Sequence, residues 1–228
     1  MNPIYKIGHR GAKGHCTENT LESIKLALGM GIDGIEIDVH LCASGELVVF
    51  HDFTLDRLSD GIGEVTTKTY EQLQQLTLKG GYKIPLLTEV LDLIEGKCSI
   101  NIELKGLHTA KGTCAIISNY IDKGWEYSSI LVSSFQENEL LEVKKINSNI
   151  LIAILSKASV EEAIEWAKVL NATAIHPSLG IITRQSVIDA HNEGFNVNVW
   201  TVNEPEDIAR MIDFGVDGII SDYPDRLG

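Results

Sequence analysis

Acidic side chains interrupt two stretches of the sequence that otherwise have the composition of buried β-strands. In residues 34–40 every second side chain is ionisable: Glu36, Asp38 and His40. In residues 99–105 the polar positions are Asn101, Glu103 and Lys105. Because successive side chains of a strand point to opposite faces, each stretch has one polar face and one apolar face.

Three carboxylates that face one protein interior repel each other and are costly to remove from water. A bound cation would neutralise Glu36, Asp38 and Glu103, and Ca²⁺ and Mg²⁺ are cations that prefer oxygen ligands. The alternative is a buried ion-pair network in which Arg10 and Lys105 supply the positive charge. A third carboxylate on a separate strand favours the metal site, and no cysteine or histidine cluster indicates zinc.

Two histidines fall at the ends of strand-like stretches beside these carboxylates. His9 ends the first stretch, and His51 ends the one that follows the second. Imidazoles on either side of a reacting phosphorus can act as general base and general acid; the alternative for each is a purely structural role. Arg10 suits a bidentate phosphate contact and Lys105 a point charge, and both can also pair with the carboxylates.

Other strand ends carry weaker candidates. Phe135 and Trp200 each end a predicted strand, where an aromatic ring either lines a pocket wall and contacts substrate or only packs. His176 lies near another strand end and is a further substrate contact to consider. Asp222 ends the last strand and is a candidate partner for one of the catalytic side chains.

Short β-rich runs alternate with amphipathic helical patterns along the chain. We predict parallel strands at Tyr5–His9, Gly34–His40, Ser99–Lys105, Ile130–Phe135, Leu151–Leu155, Ala174–Pro177, Asn196–Trp200 and Gly218–Asp222. Glu18-Asn19-Thr20 and Asn203 have residue types that cap helix N-termini. The alternation predicts an α/β fold, a (β/α)₈ TIM barrel with its functional residues at the carboxyl ends of the strands. An open doubly wound sheet is the alternative, but no glycine-rich dinucleotide loop follows the first strand.

One strand-like run, Leu47–Asp52, breaks this alternation. Only Cys42–Glu46 separates it from the second strand, whereas a parallel crossover needs about a dozen residues or more. We therefore predict an antiparallel hairpin that brings His51 beside Ile37. Residues from about 43 to 85 then form a small insertion in the barrel, and a long irregular insertion of this kind is usually a lid or binding loop.

Bulk properties restrict the classes of function. The 228 residues fit a single catalytic domain spanning 1–228,. A formal net charge of -13 argues against binding to nucleic acid or to an anionic membrane, yet permits an anionic small-molecule substrate beside a bound cation. No apolar run approaches the roughly 20 residues of a membrane span, so we predict no stable membrane insertion. The four cysteines lack metal-site spacing, and Met1–Lys6 does not begin a signal sequence. We predict a cytoplasmic protein and leave its oligomeric state open.

Taken in order, these segments resemble the glycerophosphodiester phosphodiesterase family, of the soluble bacterial type. The resemblance lies in Ile7–Gly11, Glu18–Thr20, Gly34–Val39, Val48–Asp52 with Leu55 and Arg57, Ile100–Lys105, Ser133–Phe135, Val199–Asn203 and Asp217–Asp222. Thr17 departs from the family pattern, which usually has proline there.

The resemblance implies a barrel with a divalent metal, Ca²⁺ or Mg²⁺, and a set of site residues with assigned roles. The implied metal ligands are Glu36, Asp38 and Glu103, the acid–base pair His9 and His51, and the phosphate contacts Arg10 and Lys105.

The activity that the resemblance implies is metal-dependent hydrolysis of a glycerophosphodiester to glycerol 3-phosphate and an alcohol. We expect the glycerol hydroxyl next to the ester to attack phosphorus, with one histidine taking its proton and the other protonating the leaving alcohol. Water would then open the cyclic phosphate. The alternatives are a phospholipase C- or D-like lyase that stops at the cyclic product, and a non-catalytic phosphodiester-binding protein.

Overall fold

The computed structural model describes residues 3–228, in which parallel strands close into a ring. The strands are β1 (Tyr5–His9), β2 (Gly34–Leu41), β3 (Leu47–Val49), β4 (Ser99–Leu104), β5 (Ile130–Ser134), β6 (Leu151–Ser156), β7 (Ala174–Pro177), β8 (Asn196–Val199) and β9 (Gly218–Ser221). Their order is β1-β9-β8-β7-β6-β5-β4-β2-β3, and β1 also pairs with β2, so that all strands except β3 form a closed parallel barrel. The predicted TIM-like barrel is therefore confirmed. Met1 and Asn2, which begin the segment used to predict localisation, lie outside the described residues.

Helices connect the strands and cover the outside of the barrel. They are α1 (Leu21–Leu28), α2 (Tyr70–Gln75), α3 (Leu87–Ile94), α4 (Ala110–Asp122), α5 (Glu137–Ile146), α6 (Val160–Leu170), α7 (Arg184–Asn192) and α8 (Pro205–Phe214). After β9, a short 3₁₀ turn at Pro224–Leu227 stands where a further helix would complete the repeat. Each helix within residues 3–228 is too short or too polar to cross a bilayer.

The strand β3 forms the predicted hairpin with β2. Their antiparallel register pairs Val39 with Val49. The Phe50 N–H donates to the carbonyl oxygen of Asp38 at 3.0 Å, so the pairing continues past the end of β3. The same register brings His51 alongside the inner residues of β2, as the hairpin prediction required.

Two separate hydrophobic clusters support this arrangement. The larger one lies between the barrel strands and the outer helices, and it buries the apolar faces of β2 and β4. The smaller one lies within the insertion and includes Phe50, Leu55 and Leu73, which are almost completely shielded from solvent. The insertion therefore packs around its own core and includes helix α2.

Packing of the apolar faces against the helices turns the polar faces into the barrel. The parallel register sets Asp38 of β2 beside Glu103 of β4, and Glu103 beside Ser133 of β5. Since paired residues of adjacent strands point to the same side, these side chains share the barrel interior. The sequence pattern alone had predicted this inward orientation.

One of the two predicted helix caps is confirmed and the other is wrong. Thr20 caps α1, because its side chain accepts a hydrogen bond from the Ser23 N–H at 3.1 Å. Asn203 does not cap α8, since Pro205 occupies the first helical turn and Glu204 takes the cap position. The Asn203 side chain turns to the end of β9 instead, where its Nδ2 donates to Asp222 Oδ2 at 3.0 Å.

Candidate active site

A cavity of about 330 Å³ opens at the carboxyl ends of the barrel strands. Its lining includes eight of the nine predicted site residues and four others: His9, Arg10, Glu36, His51, Glu103, Lys105, Phe135, Trp200, Asn101, Leu155, Lys157 and Ile220. The ninth, Asp38, belongs to the same carboxylate cluster as Glu36 and Glu103 and is fully buried. A larger cavity, of about 850 Å³, is lined by residues from the amino ends of the strands and contains no predicted site residue.

The three predicted metal ligands converge at the base of this cavity. One oxygen from each of Glu36, Asp38 and Glu103 lies within 4.8 Å of the others. All three side chains are buried, with exposed fractions of 4%, 0% and 8% respectively. The register between β2 and β4 sets this spacing, so the cluster follows directly from strand pairing.

The three carboxylates of this cluster repel each other. Burial and the charges of Asp38 and Glu103 raise the pKa of Glu36 well above its ordinary value. Burial and Asp38 raise the pKa of Glu103 to about 7, although Lys105 opposes the shift. For Asp38 the effect of burial is outweighed by nearby positive charge, above all that of Arg10, and its pKa is lowered.

The donor set of the cluster fits a hard divalent cation. Asp38 Oδ1 is buried and accepts no hydrogen bond from residues 3–228, and the nearest ammonium, that of Lys105, is 3.9 Å away. The neighbouring Asn101 Oδ1 is likewise buried without a donor in the described chain. Buried oxygens that lack donors are the ligands that Ca²⁺ and Mg²⁺ take.

Each of the two cavity histidines is held by a carboxylate. His9 Nδ1 lies 2.6 Å from Asp222 Oδ1, and His51 Nδ1 lies 2.6 Å from Asp52 Oδ1. Because an ionised carboxylate only accepts, Nδ1 of each ring carries the proton and Nε2 is left with a lone pair. In the case of His9, this Nε2 is 3.9 Å from Glu36 Oε2, so the ring faces the carboxylate cluster.

Within each pair, burial favours the neutral form of the histidine, whereas hydrogen bonding favours the charged form of the carboxylate. Burial lowers the pKa of His9 and of His51, which keeps both rings neutral near pH 7. Burial of Asp222 is outweighed by its hydrogen bond with His9, and the pKa of Asp222 falls to about 2. Hydrogen bonding from Arg57 lowers the pKa of Asp52 to about 2. Each pair therefore combines a neutral imidazole with an ionised carboxylate.

A tight turn after β1 brings Arg10 into the cluster. Arg10 has a φ of 50°, and Gly11 a φ of 84°. A Cβ on Gly11 would lie 2.6 Å from the carbonyl carbon of Ser23, so only glycine fits there,. The turn lets the Arg10 N–H donate to Glu36 Oε2 at 3.0 Å and sets its Nε 3.2 Å from Asp38 Oδ2.

The remaining predicted residues form the other walls of the cavity. Lys105 Nζ donates to Glu103 Oε1 at 2.9 Å, so the alternative of ion pairing is realised for this residue. Phe135 and Trp200 pack edge to face with ring centroids 5.7 Å apart, and both line the cavity. His176 is fully buried and does not line the cavity; its backbone oxygen accepts a hydrogen bond from Trp200 Nε1 at 2.7 Å.

Sequence reasoning missed several residues that support the site. Glu18 accepts from Arg10 at 2.6 Å and from Arg57 at 2.7 Å, although its sequence context indicated only a helix cap. Asn19 donates to Asp38 Oδ2 at 2.9 Å. Asp52 could have been found, because a carboxylate directly after a candidate catalytic histidine is a local signal. Lys157, at the cavity mouth, follows β6 with no such signal.

The chain is similar to known proteins both in sequence and in structure. Residues 9–226 match the model of the glycerophosphoryl diester phosphodiesterase family. The chain is 36% identical to a glycerophosphodiester phosphodiesterase of Caldanaerobacter subterraneus, over 97% of this chain and 95% of that protein. It is 35% identical to one of Bacillus altitudinis, over 96% and 95% respectively. A phosphodiesterase of Oleispira antarctica, solved in complex with the product sn-glycerol-3-phosphate, has a TM-score of 0.89 at 30% identity, covering 97% of this chain and 94% of that chain.

Proposed function

Because the chain belongs to the glycerophosphoryl diester phosphodiesterase family, we propose that its barrel-mouth cavity hydrolyses glycerophosphodiesters to glycerol 3-phosphate and an alcohol. The family assignment makes the chain a phosphoric diester hydrolase, and it confirms the resemblance drawn from the sequence motifs. The observation that carries the assignment of residues is the convergence of two carboxylate-paired imidazoles on one three-carboxylate cluster. The Oleispira relative, bound to glycerol 3-phosphate, supports the proposed product.

Glu36, Asp38 and Glu103 are the proposed ligands of the divalent metal, Ca²⁺ or Mg²⁺. When bound, this ion supplies Lewis-acid stabilisation of charge on a phosphate oxygen and lowers the pKa of a coordinated hydroxyl. The three carboxylates hold their mutual geometry through strand pairing, and Asn19 fixes Asp38 by donating to its second oxygen. The burial of all three ligands excludes bulk water from the base of the cavity.

His9 and His51 are the proposed acid–base pair. Each ring presents Nε2, which can accept the proton of the glycerol hydroxyl next to the ester as this hydroxyl attacks phosphorus. The other ring first takes up a proton from solvent at Nε2, and it donates this proton to the leaving alcohol as the bond between phosphorus and that alcohol breaks; its carboxylate partner stabilises the imidazolium. Water then adds to phosphorus: the ring that protonated the alcohol takes a proton from the water, and the ring that took the hydroxyl proton returns it to the glycerol oxygen as the bond from that oxygen to phosphorus breaks.

Arg10 and Lys105 are the proposed counter-charges for the phosphoryl oxygens. Both line the cavity, and both are fixed by carboxylates of the cluster, so their positions require no rearrangement when substrate binds,. Phe135 and Trp200 are proposed to contact the substrate from the opposite wall. We further propose that residues 1–228 act as one catalytic domain, and that the enzyme works in the cytoplasm, where its four free cysteines suit a reducing environment,.

The test measures release of glycerol 3-phosphate from glycerophosphoglycerol and glycerophosphocholine, with and without a chelator. We expect His9→Ala and His51→Ala each to lower kcat by at least about a hundredfold, the ordinary contribution of general acid–base catalysis. Phosphorus NMR of the product distinguishes the hydrolase from the lyase, since the lyase leaves a cyclic phosphate.

His191→Ala is the matched control, because this histidine lies at the amino end of the barrel and pairs with Asp217. It is expected to retain full activity. Near-normal rates for both cavity variants would show that the two imidazoles do not catalyse the reaction. Tight binding without turnover in the unmodified protein would indicate the binding module instead.

A further inference from the structure

One of the cations that line the cavity, Lys157, lies on the opposite side of its mouth from His9 and Glu36. Lys157 directly follows β6, and in the closed ring β6 lies opposite β1: β9, β8 and β7 separate them on one side, and β2, β4 and β5 on the other. Lys157 nevertheless lines the same cavity as His9 and Glu36. Any substrate group that reaches Lys157 therefore extends away from the phosphorus.

Lys157 differs from the other cavity cations in having no counter-charge. Arg10 pairs with Glu18 and Asp38, and Lys105 pairs with Glu103. Among residues 3–228, Lys157 has neither an ion-pair partner nor a side-chain hydrogen bond; its ammonium faces the ring of Phe135. An exposed ammonium that no carboxylate neutralises leaves a positive potential at this part of the mouth.

Two protein cations already lie against the Phe135 ring of the aromatic wall. The ammonium groups of Lys105 and Lys157 lie 5.7 and 5.8 Å from the ring centroid of Phe135. These distances fall within the range of cation–π attraction, so protein cations already use the ring. A quaternary ammonium brought to the same wall would meet two like charges.

The chemistry of the substrate determines which of its parts meets Lys157. The glycerol moiety carries only neutral hydroxyls, and the phosphate is required beside His9 and His51. Only the variable alcohol can therefore bring a charge to the far wall. Building on the proposed function, we infer that Lys157 makes this enzyme prefer glycerophosphodiesters whose leaving alcohol is anionic or neutral over those whose alcohol is cationic.

The experiment compares kcat/KM at low ionic strength for three substrates that differ in the charge of the leaving alcohol. These are glycerophosphocholine, glycerophosphoglycerol, and bis(glycerophospho)glycerol, whose leaving alcohol carries a second phosphate. We expect the unmodified enzyme to favour the anionic over the cationic alcohol by about five- to tenfold, the effect of one partly screened charge pair. Lys157→Met should remove this preference, and Lys157→Glu should reverse it.

Lys111→Met, at an exposed position of α4 outside the cavity, is the matched control and should leave the preference unchanged. An equal loss with all three substrates in Lys157→Met would mean that Lys157 binds the reacting phosphate, and would overturn the inference. An unchanged ratio in both Lys157 variants would overturn it as well. Failure of the unmodified protein to hydrolyse any of the three would instead refute the proposed function.

Discussion

One carboxylate orients each of the two cavity histidines. Asp222 holds His9 by a short hydrogen bond, and Asp52 holds His51 in the same way. In the carboxylate cluster, burial and like charge raise the pKa of both Glu36 and Glu103. A cluster that repels itself in this way is stabilised by a cation and destabilised by its removal.

At the scale of these residues, we predict that Ca²⁺ or Mg²⁺ raises the Tm of metal-free protein. At a concentration of about one hundred times Kd, ligand binding adds about 2.7 kcal/mol, or about 5–10 °C for a chain of this size. Asp38→Asn should abolish the shift, because it removes the charge of the one ligand in the cluster that is completely buried. Differential scanning fluorimetry with and without the metal measures the change in Tm.

Asp122→Asn serves as the control, since this exposed carboxylate at the end of α4 contacts no cavity residue. Its Tm should rise with metal as much as that of the unmodified protein. The metal assignment would be contradicted if Asp38→Asn retained the full shift.

At the scale of elements, Arg57 is one of the residues that tie the insertion to the barrel. Arg57 donates to both oxygens of Asp52, at 2.5 and 2.9 Å, and to Glu18 in the loop before α1, at 2.7 Å. Glu18 in turn accepts from Arg10. The compact insertion is therefore joined to the β1–α1 loop by a network that ends on His51 at one side and on Arg10 at the other.

We predict that Arg57→Lys lowers kcat by about tenfold or more while KM changes less, the usual cost of removing a residue that orients a catalytic group. Lysine keeps the positive charge but cannot reach both carboxylates with the planar geometry of a guanidinium. Arg57 acts as a positioning residue, and Arg57→Ala should lower kcat further. The Tm should move little, because the Arg57 side chain is 46% exposed,.

Arg210→Ala on α8, where the guanidinium pairs with Asp207 away from the cavity, is the control for a lost surface ion pair. Steady-state kinetics of Arg57→Lys, Arg57→Ala and Arg210→Ala give the kcat and KM values to be compared. If Arg57→Ala affected kcat no more than Arg210→Ala, the network would have no role in orienting His51.

At the scale of the whole molecule, polar groups line the inside of the barrel and the hydrophobic core lies outside it. His176 of β7 is completely buried in this interior, where Nε2 meets the Asn198 amide at 3.0 Å and Nδ1 has no hydrogen-bond partner in the described chain. Burial alone lowers the pKa of His176 to about 3. The folded state therefore excludes a proton that the unfolded chain binds below its ordinary pKa of about 6.5.

This difference makes the folded state less stable in acid. Above pH about 6.5 neither state protonates His176, and as the pH falls toward about 3 only the unfolded state gains the proton, so stability decreases. We predict that His176→Gln reduces the slope of unfolding free energy against pH by about 1.4 kcal/mol per pH unit between about pH 4 and 6. Urea titrations over this range measure the slope.

His15→Gln is the comparison, because this histidine is partly exposed and pairs with Asp225 at the surface. Its acid slope should stay closer to that of the unmodified protein. Parallel slopes for the unmodified protein and His176→Gln would mean that His176 takes up a proton in the fold.

The sequence alone determined the features that depend on local periodicity. The alternation of polar and apolar residues in 34–40 and 99–105 determined which side chains face inward. Every second side chain of a strand lies on the same face, so once the apolar residues face the helices, all the polar residues face the barrel interior. The short link between β2 and β3 likewise determined the hairpin, since no parallel crossover fits in it. The barrel, the acidic cluster and the two cavity histidines were therefore predictable.

The sequence indicated Asp222 as a partner of a catalytic side chain, but only the tertiary structure decided that it holds His9 and which other residues support the site. His9 and its partner Asp222 are separated by 213 positions, and they meet because the ring closes between the first strand and the last. Glu18 and Arg57, 39 positions apart, meet because the insertion folds around its own core. Contacts of this kind depend on how whole elements pack, and no periodicity of the chain encodes them. The same closure sets Lys157 across the mouth from His9, which no local pattern of residues could have indicated.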